Sequence, residues 1–166
     1  MKQIDKLSDN LPRTDARIEE AFNNCKKEKR YIEKTRTFIE VPKDSYNDYL
    51  NSSLKALNAA KILLDNGNFE WSIVPAYSAI FQAGNALLIK EQGRECRDHF
   101  CILVSLLKLK KIDSKKINDV AQIKDKLDSL SDESISFASK LRLVRSTVIY
   151  KPSQEYNEKE IAIDVF

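Results

Sequence analysis

The sequence predicts an all-α protein folded as an antiparallel up-and-down bundle of about five to six helices. Only 3 glycines and 4 prolines occur among 166 residues, so residues that form turns are scarce. Apolar residues instead recur at spacings of three and four, which is the period of an amphipathic helix. The length fits a single domain, because domains commonly contain roughly 100–150 residues.

The charge and hydropathy patterns exclude several classes of protein. A formal net charge of +3 is too small to drive tight nucleic-acid binding by itself, so such binding requires a local basic patch. The N-terminal thirty residues lack the apolar core of a signal peptide, and no uncharged apolar run reaches the roughly 18 residues that cross a bilayer. We therefore expect a cytoplasmic protein that does not enter a membrane.

The N-terminal quarter of the chain divides into two predicted parts. Residues 1–13 include Pro12 and lack periodicity, so they are expected to form a flexible leader. An additional N-terminal helix is predicted over residues 14–40, ending before Pro42. This helix carries a basic run: Lys26, Lys27, Lys29, Arg30, Lys34 and Arg36. The run is interpreted as a solvated helix face, with contact to a nucleic-acid backbone as the alternative.

The main bundle is predicted over residues 45–166 and begins with a helical hairpin. Ser45 and Asp48 match a capping box, and the helix that they begin is predicted to stop at Asn66 and Gly67.

Asn68 is a candidate cap for the second helix of this hairpin, which runs to about Gln92. Apolar residues cover every side of this helix, so it should lie at the centre of the bundle or between a neighbour and a dimer mate. Pro75 predicts either a later helix start or a kink.

Three further helices are predicted to complete the bundle. Asp98, Asp113 and Ser131 are candidate N-terminal caps of these helices. The last helix has an apolar stripe formed by Phe137, Leu141, Val144 and Val148.

The three cysteines, Cys25, Cys96 and Cys101, are an odd number and lack the C-x-x-C spacing of a zinc or redox motif. We interpret them as reduced thiols that pack or lie at the surface. The sequence also lacks a phosphate-cradling glycine loop, a dinucleotide fingerprint and a Ser-His-Asp arrangement. No metal and no cofactor are therefore expected.

The last predicted helix carries the candidate site. Arg145 follows Val144 at the rim of the apolar stripe, where a partly hydrated guanidinium can bind a phosphate in bidentate fashion. Tyr150 comes just before Lys151 and Pro152, where the chain must leave helical geometry. The alternative is structural, with Arg145 paired to a carboxylate and Tyr150 capping the core.

A wider set of residues resembles the HEPN superfamily, small α-helical proteins of prokaryotes linked to nucleotides and RNA. The resemblance covers about residues 45–150 and rests on these residues: Tyr77, Phe81, Ala83, Leu87, Leu88, Gly93, His99, Arg145 and Tyr150. Much of the superfamily has an arginine, four to six residues and then a histidine, and its active members are metal-independent ribonucleases that work as dimers. Here Tyr150 stands in the histidine's place, so the chain resembles the small standalone branch with an Arg-x4-Tyr pattern.

This substitution bears on catalysis. Histidine titrates near neutral pH and can act as an acid or a base, whereas tyrosine, with a pKa near 10, is a poor base. Arg145 and Tyr150 therefore form a credible phosphate-binding pair and a doubtful endoribonuclease. His99, the only histidine, could supply the base, or it could be a structural residue at the start of a helix.

The resemblance implies a nucleotide- or RNA-interacting protein and a homodimer. Its sharper form is a toxin–antitoxin component paired with a minimal nucleotidyltransferase. The nucleotide- or RNA-binding residues would be Arg142, Arg145, Tyr150 and Lys151. The alternative is a non-catalytic helical interaction or dimerisation module with a degenerate site.

Overall fold

Residues 6–27 and 37–133 are described by the structure, a computed structural model of the chain. These residues form six α-helices and one small antiparallel sheet, which confirms the predicted all-α fold. The helices are α1 (Leu7–Asn10), α2 (Asp15–Lys27), α3 (Tyr46–Asp65), α4 (Phe69–Gln92), α5 (His99–Leu109) and α6 (Ser114–Glu133). The strands are β1 (Phe38–Glu40) and β2 (Arg94–Cys96), and a short 3-10 helix spans Lys43–Ser45.

Helices α3 and α4 form a hairpin, joined where the sequence predicts. The amide of Gly67 donates to the carbonyl of Leu64 at 3.0 Å, and the amide of Asn68 donates to that of Leu63 at 2.8 Å. These two bonds form a Schellman motif, which places Gly67 at a positive φ of 75°. A residue with a side chain would be strained there, so the glycine sets the end of α3.

Helix α4 occupies the centre of the described fold. It contacts α3 on one side and β2, α5 and α6 on the others, as its all-round apolar sequence predicts. At Gly84 a Cβ atom would lie 3.1 Å from Cδ1 of Ile102, so the glycine permits the close approach of α5. Residues 71–92 are long and apolar enough to cross a membrane, but 56% of the most apolar window is buried within the protein. Burial of this kind is typical of a core helix.

Strands β1 and β2 pair in antiparallel register, with Phe38 opposite Cys96 and Glu40 opposite Arg94. The helix predicted over residues 14–40 is therefore wrong at its end, where residues 38–40 form a strand that the sequence does not predict. Each strand has three residues, which is too short to produce a recognisable alternation of apolar and polar side chains.

The predicted helix caps are correct at two positions. Oδ1 of Asp98 accepts from the amide of Cys101, and Oδ1 of Asp113 accepts from the amide of Lys115, both at 2.8 Å. These bonds satisfy amides at the starts of α5 and α6 that have no partner within their helix.

The other three predicted caps are wrong. Ser45 has helical backbone angles and makes no capping hydrogen bond, because it ends the 3-10 helix that precedes α3. Asn68 precedes α4 but its side chain does not cap it. Ser131 lies inside α6, which continues to Glu133.

Part of the expected leader contacts α6. Asp125 accepts three hydrogen bonds, from the amides of Leu7 and Ser8 at 2.6 and 3.1 Å and from the Ser8 hydroxyl at 2.6 Å. Leu11, just beyond α1, is buried in the main apolar core. Residues 7–11 are therefore attached to the bundle.

Helix α2 packs on α5 and is joined to it by a disulfide between Cys25 and Cys101. The prediction of reduced thiols is wrong for this pair, because the packing of the two helices brings their Cα atoms to 5.7 Å. A cross-link between residues 76 positions apart contributes about 4.5 kcal/mol in the chain-entropy treatment. The third cysteine, Cys96, is buried and takes no part in this bond.

Candidate functional site

One face of α4 carries the side chains that meet β2 and the start of α5. Tyr77, Phe81 and Asn85 are spaced by four residues, so they lie on the same side of the helix. All three are buried. They contact the segment from Glu95 to His99, which links the sheet to α5. This junction joins α4, β2 and the start of α5.

His99 is held at the junction by two aromatic residues of α4. Its Nδ1 lies 2.7 Å from the phenol oxygen of Tyr77, within hydrogen-bond distance. Its ring centroid is 4.7 Å from that of Phe81, and the two rings are tilted by 49°. His99 begins α5, as expected. The structure therefore brings together three residues, Tyr77, Phe81 and His99, on which the family resemblance rests.

Asn85 fastens β2 to α4. Its amide nitrogen donates to the carbonyl of Cys96 at 3.0 Å, and its Oδ1 accepts from the amide of Cys96 at 2.7 Å. The side chain of Asn85 therefore satisfies both the N–H and the C=O of Cys96, and both residues are buried. The position of the chain just before His99 is thereby determined from α4.

A second polar cluster joins β2 to α3. The hydroxyl of Tyr49 donates to Oε2 of Glu95, and Nε of Arg97 donates to Oε1 of the same carboxylate at 2.6 Å. Tyr49 and Glu95 are both buried, with Tyr49 in a small apolar cluster beside α4. Burial, followed by the hydrogen bond to Glu95 and its negative charge, raises the pKa of Tyr49 above the usual tyrosine range. The phenol is therefore a neutral hydrogen-bond donor at physiological pH.

This cluster was not predicted from the sequence. Tyr49 and Glu95 are 46 positions apart, and no local pattern connects them. The sequence contains one weak signal for the contact between Glu95 and Arg97. Residues two positions apart in an extended segment lie on the same face, so these two side chains can meet.

The candidate phosphate-binding residues lie outside the described residues. These are Arg142, Arg145, Tyr150 and Lys151. His99 is the residue of the predicted site that the structure describes. Within residues 6–27 and 37–133, no three His, Cys, Asp or Glu side chains are grouped to hold a metal ion.

Two residues of the predicted basic run are described, at the end of α2. The ammonium of Lys26 lies 4.9 Å from the centroid of the Phe22 ring, and that of Lys108 from α5 lies 4.2 Å from it. Lys26 and Lys27 are exposed. The described part of the run is therefore a solvated helix end that rests on an aromatic ring.

An exposed apolar surface covers α3 and the start of α4. Its large side chains are 42–67% exposed: Leu50, Leu54, Leu57, Ile62, Leu64, Phe69 and Trp71. The members from Leu50 to Leu57 are spaced by four and three residues, so they form one stripe on α3. Groups of exposed apolar side chains commonly mark contacts with other molecules.

The sequence matches one family model, described as HEPN domain, over residues 46–165. The matched region begins at α3 and includes His99, Arg145 and Tyr150, whereas α1, α2 and β1 lie outside it. Among curated proteins and among solved structures, none matches the chain significantly.

Proposed function

The chain belongs to the HEPN domain family, which has general links to nucleotides and RNA, and from this premise we propose that it binds RNA or a nucleotide through phosphate recognition at Arg145 and Tyr150. The observation that carries the proposal is the extent of the match. It includes the end of the chain with the Arg-x4-Tyr pattern as well as the junction at which α4 holds His99.

The proposed roles follow from the chemistry of the side chains. The guanidinium of Arg145 binds two phosphate oxygens, and the phenol of Tyr150 donates a hydrogen bond to the same group. Arg142 and Lys151 add positive charge along the phosphate backbone, which increases affinity at low salt. The protein binds phosphate without a metal ion, so a chelator should leave the affinity unchanged.

A more specific proposal concerns the location, the oligomeric state and the protein partner. We propose a cytoplasmic homodimer, and a minimal nucleotidyltransferase as the partner in a toxin–antitoxin pair. Homodimerisation would double the phosphate-binding residues available to one RNA strand. Co-expression with the genomic neighbour and size-exclusion chromatography of the purified complex would test this form.

The direct test is a titration of labelled single-stranded RNA, and separately of ATP, in the presence of chelator. The proposal predicts saturable binding that is lost in Arg145→Ala while the melting temperature stays nearly unchanged. Arg17→Ala, which removes an exposed arginine from α2, serves as the matched control and should bind normally. If Arg145→Ala binds like the control, or if neither ligand binds the unaltered protein, the proposal is wrong.

Catalysis requires a separate test, because Tyr150 is a poor base. Endoribonuclease activity using His99 would appear as RNA cleavage in chelator that is lost in His99→Ala. Tyr77→Phe should reduce the same activity, because the phenol of Tyr77 positions the imidazole. If the protein binds RNA without cleaving it, the HEPN site serves for recognition alone.

The second candidate function is a non-catalytic interaction module. The exposed stripe of Leu50, Leu54 and Leu57 on α3 favours it, since apolar surfaces of this kind bind other proteins. In that case Leu54→Lys should abolish complex formation with a protein partner, and Arg145→Ala should leave the complex intact.

A further inference from the structure

The described residues before α3 are attached to the rest of the protein at several places. Asp125 of α6 holds α1, and β1 pairs with β2. Between these two attachments, α2 is joined to α5 by the disulfide of Cys25 and Cys101. The hydrogen bonds of the two flanking attachments are made outside α2, and α2 contacts β1 through the rings of Phe22 and Phe38, whose centroids lie 5.8 Å apart.

Besides the disulfide, helix α2 packs on α5 through Phe22, whose ring lies under the ammonium of Lys108. Phe22 and Cys25 are the only buried residues of this helix. Its ion pairs, Lys108 with Glu19 and Lys110 with Asp15, are partly or largely exposed, and such pairs contribute little. An isolated helix of 13 residues is only marginally stable in water. The disulfide is therefore the covalent part of an attachment that also includes the packing of Phe22.

We propose that Cys25 and Cys101 form a reversible thiol–disulfide site that controls the attachment of α2 to α5. A dithiol reductant supplies two electrons, which break the S–S bond, and its two protons pass to the sulfurs of Cys25 and Cys101. The reductant itself becomes a disulfide. Helix α2 then opens from α5, and its exposed basic residues Lys26 and Lys27 move with it.

The burial of the two sulfurs adds a kinetic consequence. Cys25 is 1% exposed and Cys101 is 0% exposed, so a reductant reaches them only after α2 has moved. The reduction rate should therefore rise with dithiol concentration and then reach a plateau, at which opening of α2 is the slow step. A disulfide at the surface would instead react at a rate proportional to reductant concentration.

The disulfide connects the N-terminal extension to the region that matches the family model. Cys25 lies outside the matched region and Cys101 lies inside it. The amide of Cys101 is the group that Asp98 caps, in the first turn of α5. The oxidation state of the pair therefore decides whether the N-terminal extension is fixed to the first turn of α5.

The experiment uses the full chain, before and after treatment with dithiothreitol. Alkylation under denaturing conditions, read by mass spectrometry, should label one cysteine in the oxidised protein and three in the reduced protein. Hydrogen exchange of the α2 amides should accelerate at least tenfold on reduction, while the amides of α3 and α4 keep their protection.

Two variants complete the test. Cys25→Ala should show fast exchange in α2 without reductant, and reductant should not change it further. Cys96→Ala removes a cysteine of similar burial outside the disulfide, and it should still respond to reductant as the unaltered protein does. Three labelled cysteines without reductant would overturn the proposal. So would equal protection of α2 in both states, or an equal acceleration of exchange in α3 and α4.

Discussion

The phenol oxygen of Tyr77 lies 2.7 Å from Nδ1 of His99, and this contact joins the central helix α4 to the first turn of α5. Phe81, one turn further along α4, packs on the same imidazole. Helix α4, against which α3, α5 and α6 pack, therefore provides two contacts to the imidazole.

The first prediction concerns this contact. Tyr77→Phe removes the partner of Nδ1 and should lower the free energy of unfolding by about 1 kcal/mol, the usual net value of one hydrogen bond. His99 is the only histidine in the sequence, so its ring signals are identified directly in a long-range ¹H–¹⁵N spectrum. The spectrum should show one dominant tautomer in the unaltered protein and a mixture in Tyr77→Phe. Tyr46→Phe is the control, and an unchanged imidazole pattern in Tyr77→Phe would show that the contact is absent in solution.

The second prediction concerns alkaline stability. The pKa of Tyr49 is raised by burial and by Glu95, so the folded protein requires a neutral phenol. An unfolded tyrosine loses its proton near pH 10. The stabilising effect is therefore complete below about pH 10 and is lost as the pH rises further toward the raised folded-state pKa. Urea unfolding between pH 8 and pH 11 should show a steeper loss of stability in the unaltered protein than in Tyr49→Phe.

At neutral pH the same substitution should cost about 1–3 kcal/mol, because the buried carboxylate of Glu95 loses a hydrogen-bond donor. Tyr46→Phe again provides the comparison and should follow the unaltered protein across the pH range. Parallel alkaline profiles for the unaltered protein and Tyr49→Phe would contradict the buried Tyr49–Glu95 contact.

The third prediction concerns Asn85. Asn85→Asp keeps the acceptor for the amide of Cys96, loses the donor to its carbonyl, and places a charge in a buried position. The free energy of unfolding should fall by about 2–4 kcal/mol. Asn58→Asp, at an exposed position of α3, should change it by less than about 0.5 kcal/mol. Equal effects of the two substitutions in urea titrations would mean that Asn85 does not fasten β2.

The fourth prediction concerns acid release of α1. Burial by itself would raise the pKa of Asp125, but hydrogen bonds from Ser8 and Leu7 and the nearby charge of Lys124 outweigh it, so the pKa is lowered. The attachment of α1 is therefore complete above pH about 4, the usual range of an unfolded aspartate, and is lost as the pH falls through the lowered folded-state value. The amide signals of Leu7 and Ser8 should move toward free-peptide positions over that window.

Asp125→Asn removes the negative charge but keeps one acceptor oxygen, so the attachment of α1 should be weaker than in the unaltered protein and should no longer change with acid pH. Asp119→Asn, at an exposed position on the same helix, should keep the acid transition of the unaltered protein. An attachment of α1 that is as strong in Asp125→Asn as in the unaltered protein would show that the carboxylate is not what holds it.

The long helices of this fold could be predicted because each contains several turns of apolar periodicity. Gly67 and Gly93 end α3 and α4 at positive φ, and Asp98 and Asp113 cap the helices that follow, so local chemistry also marks these boundaries. The two strands could not be predicted, because three residues are too few to show an alternation of apolar and polar side chains.

The contacts between distant positions could not be predicted either. The Cys25–Cys101 disulfide and the Tyr49–Glu95 hydrogen bond depend on how helices pack, and neither leaves a pattern in the neighbouring sequence. His99 was identified as a candidate because it is the only histidine, but its contact with Tyr77 required the packing of α5 on α4.

The central claim is that Arg145 and Tyr150 bind phosphate, and the most direct measurement follows the side-chain Nε–Hε signal of Arg145 by NMR. Single-stranded RNA, and separately ATP, would be added in chelator to the unaltered protein and to Tyr150→Phe. The account predicts a saturable shift of the Arg145 signal, with a weaker affinity in Tyr150→Phe. An Arg145 signal that does not move, while amides elsewhere shift on adding RNA, would contradict the account and place binding at another surface.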